Sequence, residues 1–211
     1  MKTIAIIAQK GGSGKSTIAV HLAAYAHSQN IYPALCDLDP QGSAYDWNQG
    51  RIENDSKSPK LDFIRAKESE LALVKKMSED KGVKFLIIDT APHSNKDAAQ
   101  AAKLADFVLM PCRPSRFDLK ALITTAEIAK LSNTAAAVVI NQAPPVGSKA
   151  EKAKIVIQGQ GINVLPPVLH RRTAFDDALT GCLAVHEYDP EGKAAQEIAA
   201  LFACIRQGLK L

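Results

Sequence analysis

The segment Gln9-Lys10-Gly11-Gly12-Ser13-Gly14-Lys15-Ser16-Thr17 decides the fold, because it joins an apolar run to the start of a helical pattern. The run before it, Thr3 to Ala8, is typical of a buried strand, and apolar residues recur after it at helical spacing. A strand, a glycine-rich turn and a helix N-terminus in this order are the setting of a phosphate-binding loop. The glycines let backbone N–H groups face an anion, and the helix dipole favours negative charge at the same point. The sequence therefore predicts that residues 10–17 bind a phosphate chain.

Two side chains of this P-loop (residues 9–17) have the chemistry that a bound nucleoside triphosphate needs. Lys15 is placed to pair with β- and γ-phosphate oxygens, and the Ser16 hydroxyl is placed to ligate Mg²⁺. The loop also departs from the common pattern G-x-x-x-x-G-K-[ST], which would put its first glycine at position 9. This chain has Gln9 there, followed by an additional cation, Lys10. Since Lys15 already supplies charge to the phosphates, Lys10 is expected to point outward and to have a separate role.

The spacing K-G-G-x-G-K-[ST] at residues 10–16 resembles the deviant Walker A motif of the ParA/MinD family of ATPases. This resemblance implies that ATP and Mg²⁺ are the cofactors and that ATP binding produces a homodimer. It also implies that Lys10 reaches across the dimer interface to the nucleotide of the other subunit, as an arginine finger does in trans. Lys10 and Lys15 are therefore both candidate catalytic residues.

Two carboxylates follow the next apolar stretch, which starts at Ile31 and ends in Asp37-Leu38-Asp39-Pro40-Gln41. Alternation along a strand would place Asp37 and Asp39 on one face, next to the P-loop at the carboxyl end of a parallel sheet. The segment resembles the switch I element D-x-D-P-Q of the same family. The resemblance implies that Asp39 is catalytic and orients the attacking water, and that Asp37 belongs to the Mg²⁺ site.

A third element, Lys84 to Pro92, consists of apolar residues that end in Asp89-Thr90-Ala91-Pro92. Such a run predicts a fully buried strand with a carboxylate at its tip. D-T-A-P resembles the switch II element of the family, and its Asp89 corresponds to the Walker B aspartate that holds Mg²⁺ through water. The three elements occur in the order that the family requires.

The remaining apolar runs alternate with helical patterns and predict an α/β fold. We expect a doubly wound, mostly parallel sheet with helices on both faces, formed by residues 1–211 as a single domain. The polar stretch 51–60 is interpreted as a surface loop. No helix-turn-helix pattern precedes the P-loop, so the chain resembles the short, ParF-like plasmid-partition type.

Two further features are at the positions that frame adenine in the family. Asn141 ends an apolar run, and an amide can pair with the edge of adenine. Pro166-Pro167 suggests a turn on the other side of the base. The alternative interpretation is a capping asparagine and a rigid turn without a role in ATP binding.

The cysteines exclude several classes of site. None of the four belongs to a C-x-x-C pair, so neither a zinc site nor a redox motif is indicated, and Cys36 and Cys112 are expected in the core. No segment has the composition of a signal peptide or a transmembrane helix, and we expect a cytoplasmic, nucleoid-associated protein.

Charge and resemblance together indicate what the ATPase acts on. The formal net charge is +4, with basic residues concentrated late in the chain. In ParA relatives this region binds DNA without sequence preference, which makes Arg171 and Arg172 the candidate DNA contacts. The resemblance implies a ParB/ParG-like centromere-binding partner that stimulates hydrolysis, and a plasmid or chromosome as cargo.

Three alternatives remain open at this stage. Relatives position carboxysomes or chemotaxis clusters, MinD-like relatives cycle on membranes, and related P-loop enzymes synthesise small molecules. A MinD-like anchor needs an amphipathic last helix rich in Lys and Arg. The apolar residues of the last helix here are instead expected to close the core, so no membrane partner is expected.

Overall fold

The computed structural model describes residues 1–53 and 61–211, which form seven strands and nine α-helices. The strands are β1 Lys2–Ile6, β2 Pro33–Asp37, β3 Asp62–Arg65, β4 Phe85–Asp89, β5 Phe107–Cys112, β6 Ala136–Ala143 and β7 Val164–His170. The helices are α1 Lys15–Ser28, α2 Ser43–Glu53, α3 Leu71–Asp80, α4 Asn95–Leu104, α5 Arg116–Leu131, α6 Lys149–Gln158, α7 Thr173–Thr180, α8 Val185–Tyr188 and α9 Lys193–Leu209. A 3₁₀ turn at Glu68–Glu70 precedes α3.

All seven strands belong to one parallel sheet in the order β3-β2-β4-β1-β5-β6-β7. The chain builds one half of the sheet outward from β1, returns to β4, and then crosses to β5 on the other side of β1. The strand order therefore reverses at β1, and ligands of open α/β sheets bind at such a reversal, outside the carboxyl ends of the strands. The P-loop follows β1 at this point.

Alternating strand residues face two separate hydrophobic layers, as the sequence predicts for a doubly wound sheet. Ile4 and Ile6 of β1 pack with α1, α2 and α9, whereas Ala5 and Ile7 pack with α3 to α6. The fold prediction is confirmed. Cys36 and Cys112 are both buried in the second layer as expected, and burial raises the pKa of each thiol to about 12.

The last helix also matches its prediction. The apolar side of α9 is buried in the first layer and packs on α1 and β7. The residues concerned are Ile198, Leu201, Phe202, Ile205 and Leu209, each at most 6 % exposed.

Two parts of the chain differ from the sequence-based expectation. Residues 51–53 close α2 instead of starting a loop, with Arg51 buried in a paired contact with Glu187, while residues 54–60 lie outside the described part. Pro166 and Pro167 do not form a turn but lie inside β7, and that prediction is wrong. Backbone nitrogens alternate sides along a strand, so one proline faces the open edge of β7 and the other faces β6. Proline is tolerated at both positions because β7 is an edge strand and its pairing with β6 is irregular between Val164 and Val168.

Candidate active site

The end of β6 fixes the backbone of the P-loop from outside. The Asn141 amide donates to the Ser13 carbonyl at 2.7 Å, and the Gln142 amide donates to the Gly12 carbonyl at 3.2 Å. In a trans peptide the N–H points away from the carbonyl, so these contacts turn the N–H groups of Ser13 and Gly14 to the opposite side. The loop is thus held in the orientation that a phosphate requires.

Gly14 is a residue of this loop that other amino acids cannot replace without strain. Its φ of +90° lies in the left-handed region, and a side-chain carbon would overlap the Asn141 amide nitrogen. Helix α1 starts directly after it, with a first backbone bond from Ile18 to Gly14 at 2.9 Å. The N–H groups of Lys15, Ser16 and Thr17 therefore have no helical acceptor and are available to an anion.

Lys15 and Asp89 form the buried charged centre of the site. Lys15 is 6 % exposed, and burial lowers its pKa although Asp89 and Asp39 oppose the shift. Asp89 is fully buried at the tip of β4, and burial raises its pKa to about 7, with Ser16 and Lys15 acting in the opposite direction. Neither carboxylate oxygen of Asp89 has a hydrogen-bond partner of good geometry among the described residues.

An unsatisfied buried carboxylate beside the Ser16 hydroxyl fits a magnesium ion bound through water. Within the described residues no group of three or more His, Cys, Asp or Glu side chains could hold a metal alone. Because Mg²⁺ is usually bound by one or two protein oxygens together with substrate phosphates, Ser16 and Asp89 suit that mode of binding.

The switch I carboxylates are arranged differently from the sequence-based picture. Strand β2 ends at Asp37, so strand alternation does not relate it to Asp39, and that argument is wrong. The buried Asp37 carboxylate accepts from the backbone N–H of Asp39 at 2.9 Å and of Tyr45 at 3.3 Å. Burial raises the pKa of Asp37, and these two N–H groups oppose the shift. Asp37 therefore anchors the turn that presents Asp39, and both line a cavity of about 370 Å³.

Lys10 does not join its own phosphate site. Its Nζ donates to Asp118 at the start of α5, at 2.8 Å, and lies 5.9 Å from the centre of the exposed Phe117 ring. Asp118 also accepts from Ser115 and from Arg113. Burial alone would raise the pKa of Asp118, but the bonds from Lys10, Ser115 and Arg113 outweigh it and hold the pKa below its usual value.

The sequence did not identify Asp118 as a partner of Lys10, because the residues around Asp118 match an ordinary helix cap. Ser115 caps α5 and accepts from the backbone N–H of Asp118, so the pair follows the S-x-x-D pattern of a helix start. That pattern predicts a cap and not a partner for a lysine more than one hundred residues away.

A cavity of about 270 Å³, here called the base cavity, adjoins the P-loop between β6 and β7. It contains Asn141 but not Pro166, which lies four residues before the carboxyl end of β7 and is exposed there. Its walls are formed by Thr17, Ile18, Arg113, Asn141, Gln142, Leu169, His170, Arg171, Arg172, Phe175 and Asp176. The site therefore includes His170, at the end of β7, where the sequence had suggested Pro166.

Arg171 and Arg172 both line this cavity. Arg172 donates to Glu197 of α9 at 2.6 Å, and His170 contacts the same carboxylate at 2.7 Å. Glu197 therefore pairs with Arg172, and a DNA contact by Arg172 stays a prediction. Arg171 is exposed.

Comparison with known proteins agrees with this geometry. A family model described as the CobQ/CobB/MinD/ParA nucleotide binding domain matches residues 4–181. The chain belongs to this family. Among curated relatives, the maintenance of carboxysome distribution protein A of Halothiobacillus neapolitanus is 29 % identical, covering 92 % of this chain and 91 % of that one. Protein ParA of Rhizobium radiobacter is 28 % identical, covering 83 % and 81 %.

Solved structures share the fold at lower identity. An ATP complex of an Asp-to-Ala variant of Cyanothece McdA superposes with a TM-score of 0.75 at 17 % identity, covering 100 % of this chain and 97 % of that one. MinD of Pyrococcus horikoshii with Mg-ADP gives 0.75 at 18 % identity, covering 97 % and 95 %.

The contact between Asn141 and Ser13 gives a prediction that separates two roles of Asn141. If Asn141 only holds the P-loop backbone, it supports phosphate binding by any nucleotide. Asn141→Ala should then weaken ATP and GTP binding by the same factor, about tenfold. A residue that reads adenine would instead lose ATP affinity alone, and the preference for ATP over GTP would disappear. Isothermal titration of both nucleotides measures the two factors, with Asn163→Ala, at the exposed position just before β7, as the matched control.

Proposed function

We propose that this protein is a Mg²⁺-dependent ATPase that dimerises on ATP, binds DNA non-specifically and positions a cargo over the nucleoid. The observation that carries the proposal is the position of Lys10. Lys15, Ser16 and Asp89 complete one phosphate site, while Lys10 lies outside it on Asp118. A cation that its own site does not use is available to the nucleotide of a facing subunit.

Each residue then has a distinct part in hydrolysis. The P-loop N–H groups and Lys15 hold the phosphate chain, and Ser16 and Asp89 hold the magnesium ion that neutralises it. Asp39 orients the attacking water, and Asp37 holds the turn that presents Asp39. Lys10 of the other subunit stabilises charge on the transferred phosphoryl group. A partner protein bound to the cargo, ParB/ParG-like for a plasmid, promotes this state and so releases the dimer from DNA.

The relatives support two kinds of cargo that share this cycle. Similarity to Protein ParA favours plasmid or chromosomal DNA, as the sequence first suggested. Similarity to carboxysome distribution proteins from Halothiobacillus and Gloeobacter, each over nine tenths of both chains, favours a protein assembly. A protein assembly is therefore the second candidate cargo, with its own adaptor in place of a centromere-binding protein.

The burial of α9 favours DNA over a membrane as the surface on which the dimer rests. Its apolar side packs into the first hydrophobic layer and presents no free apolar stripe. None of the described helices combines the length and the apolar composition needed to span a bilayer.

Exposed cations near the carboxyl edge of the sheet form the candidate DNA surface. Lys149 and Lys152 are exposed at the start of α6, which follows β6. The exposed Arg171 donates its backbone N–H to Ala143 at 2.8 Å, so it lies against the end of β6 that leads to α6. Lys149 and Lys152 do not line the base cavity, and they therefore test DNA binding without disturbing the nucleotide.

We expect Lys149→Ala with Lys152→Ala to weaken ATP-dependent binding equally on unrelated duplexes. Each lost phosphate contact should reduce the slope of log affinity against log salt by about 0.9, while basal ATP hydrolysis is unchanged. Gel shifts across a salt series measure the slope. The control, Lys76→Ala with Lys84→Ala, removes two exposed lysines from α3 and the amino end of β4.

Liposome co-sedimentation with ATP and Mg²⁺, on the same preparation, tests whether the protein binds a membrane instead of DNA. Retention on liposomes but not on DNA would contradict the proposal and support membrane cycling.

A further inference from the structure

The guanidinium of Arg113 lies against the P-loop, between that loop and the base cavity. Arg113 follows β5, which pairs with β1, so the loops after both strands meet at one edge of the sheet. Its Nη1 atom is 3.8 Å from the position that a side-chain carbon on Gly12 would occupy. Arg113 also lines the base cavity together with Thr17. One side chain therefore contacts both parts of the site.

One edge of this guanidinium is fixed and the other is open. Its Nε donates to Asp118 at 2.9 Å, and Asp118 is itself held by Ser115 and Lys10. Within the described residues, neither Nη1 nor Nη2 has a hydrogen-bond acceptor. Two open donors on a rigid planar group suit a pair of phosphate oxygens.

The position of the Nη1 and Nη2 donors along the site indicates which phosphate of a nucleotide they would contact. Lys15 and Ser16 serve the β- and γ-phosphates, and the base belongs in the cavity. The part of a nucleotide that joins these two regions must pass Thr17, which lies one residue after Ser16 and lines the cavity. That part is the α-phosphate and the ribose.

We propose that Arg113 binds the α-phosphate of the nucleotide held by its own subunit. The inference rests on the proposed function, because it assigns a further contact within the same nucleotide site. ATP, ADP and AMP all carry this phosphate, whereas adenosine does not. Arg113 therefore contributes to binding before and after hydrolysis, independently of the dimer.

Arg113→Gln should lower the affinity for ADP and for ATP by the same factor, about tenfold or more. It should also bring the affinity for AMP down to that for adenosine, which stays unchanged. Titration calorimetry measures the affinities for ADP and ATP, with the Asp39→Ala change added to each protein so that ATP is not hydrolysed. Ligand-detected NMR measures the affinities for AMP and adenosine. Arg116→Gln, at the exposed first residue of α5, removes the same charge nearby and should bind all four as the wild type does.

Three outcomes would overturn the proposal. In the first outcome, Arg113→Gln binds ADP as tightly as Arg116→Gln does. In the second, Arg113→Gln lowers the affinity for adenosine as much as the affinity for AMP, which would indicate a distorted cavity. In the third, ADP affinity is kept and only the ATP-dependent dimer is lost, which means that Arg113 acts through Asp118 on Lys10. If Arg113→Gln folds poorly, Arg113→Lys replaces it in the test. Lysine keeps the charge but lacks the two Nη donors, so this variant should bind ADP more tightly than Arg113→Gln and less tightly than the wild type. A wild-type protein that binds neither ADP nor ATP would contradict the nucleotide site itself, which is a different failure.

Discussion

Replacing Asp39 with alanine should lower ATP turnover by about a hundredfold or more while ATP affinity changes by less than about threefold. Asp39 lies beyond the end of β2, in a turn that the Asp37 carboxylate holds through the Asp39 N–H. A carboxylate that orients water acts on the transition state and contributes little to the ground state. The variant should therefore accumulate as an ATP-bound dimer. Phosphate release, nucleotide titration and size-exclusion chromatography with ATP measure the three quantities.

The control for this prediction is Asp46→Ala, which removes an exposed carboxylate from the first turn of α2. It should hydrolyse ATP at the wild-type rate. The assignment fails when Asp39→Ala does so too, and it also fails when turnover and ATP affinity fall together. The second result would mean that Asp39 contributes to nucleotide binding, as Lys15 does.

The nucleotide-binding loop could be predicted because its chemistry is contiguous in the sequence. Residues 9–17 contain the glycines, Lys15 and Ser16 within one turn between a strand and a helix, and strand alternation in β1 gives the two core layers. A short local pattern specifies its own backbone, so its prediction needs no knowledge of distant contacts. The buried strand tip at Asp89 was predictable for the same reason.

Features that depend on contacts between distant segments were missed. Asp118 is 108 residues from Lys10, and Glu197 is 25 from Arg172, so no local period joins them. Strand β3 was overlooked because four residues with a charge at each end, Asp62–Arg65, have no strong strand pattern. The Pro166-Pro167 dipeptide suggests a turn until the sheet order shows that β7 is an edge strand.

Replacing Lys15 should reduce nucleotide affinity, whereas replacing Lys10 should reduce hydrolysis without reducing nucleotide affinity. Lys15 is buried beside Asp89, so Lys15→Ala removes a charge-assisted contact to the phosphates and should weaken ATP and ADP binding by about a hundredfold. Lys10 is held by Asp118 outside its own site, so Lys10→Ala should bind both nucleotides within about twofold of the wild type. Stimulated hydrolysis should nevertheless be lost. Equal loss of nucleotide affinity in both variants would contradict a role of Lys10 across the interface.

Mixing two inactive variants tests directly in which subunit Lys10 acts. A heterodimer of Lys10→Ala with Asp39→Ala has one site that combines an intact Asp39 with an intact Lys10 from the other subunit. When equal amounts are mixed without nucleotide and ATP is added afterwards, random pairing makes half of the dimers mixed, with one repaired site of the two in each, so about a quarter of the wild-type activity should return. The control mixture, Lys15→Ala with Asp39→Ala, leaves no complete site and should recover none, because Lys15 and Asp39 serve the nucleotide of their own subunit. A lysine that acted within its own subunit would give no recovery in either mixture, since every site would then contain a defective residue.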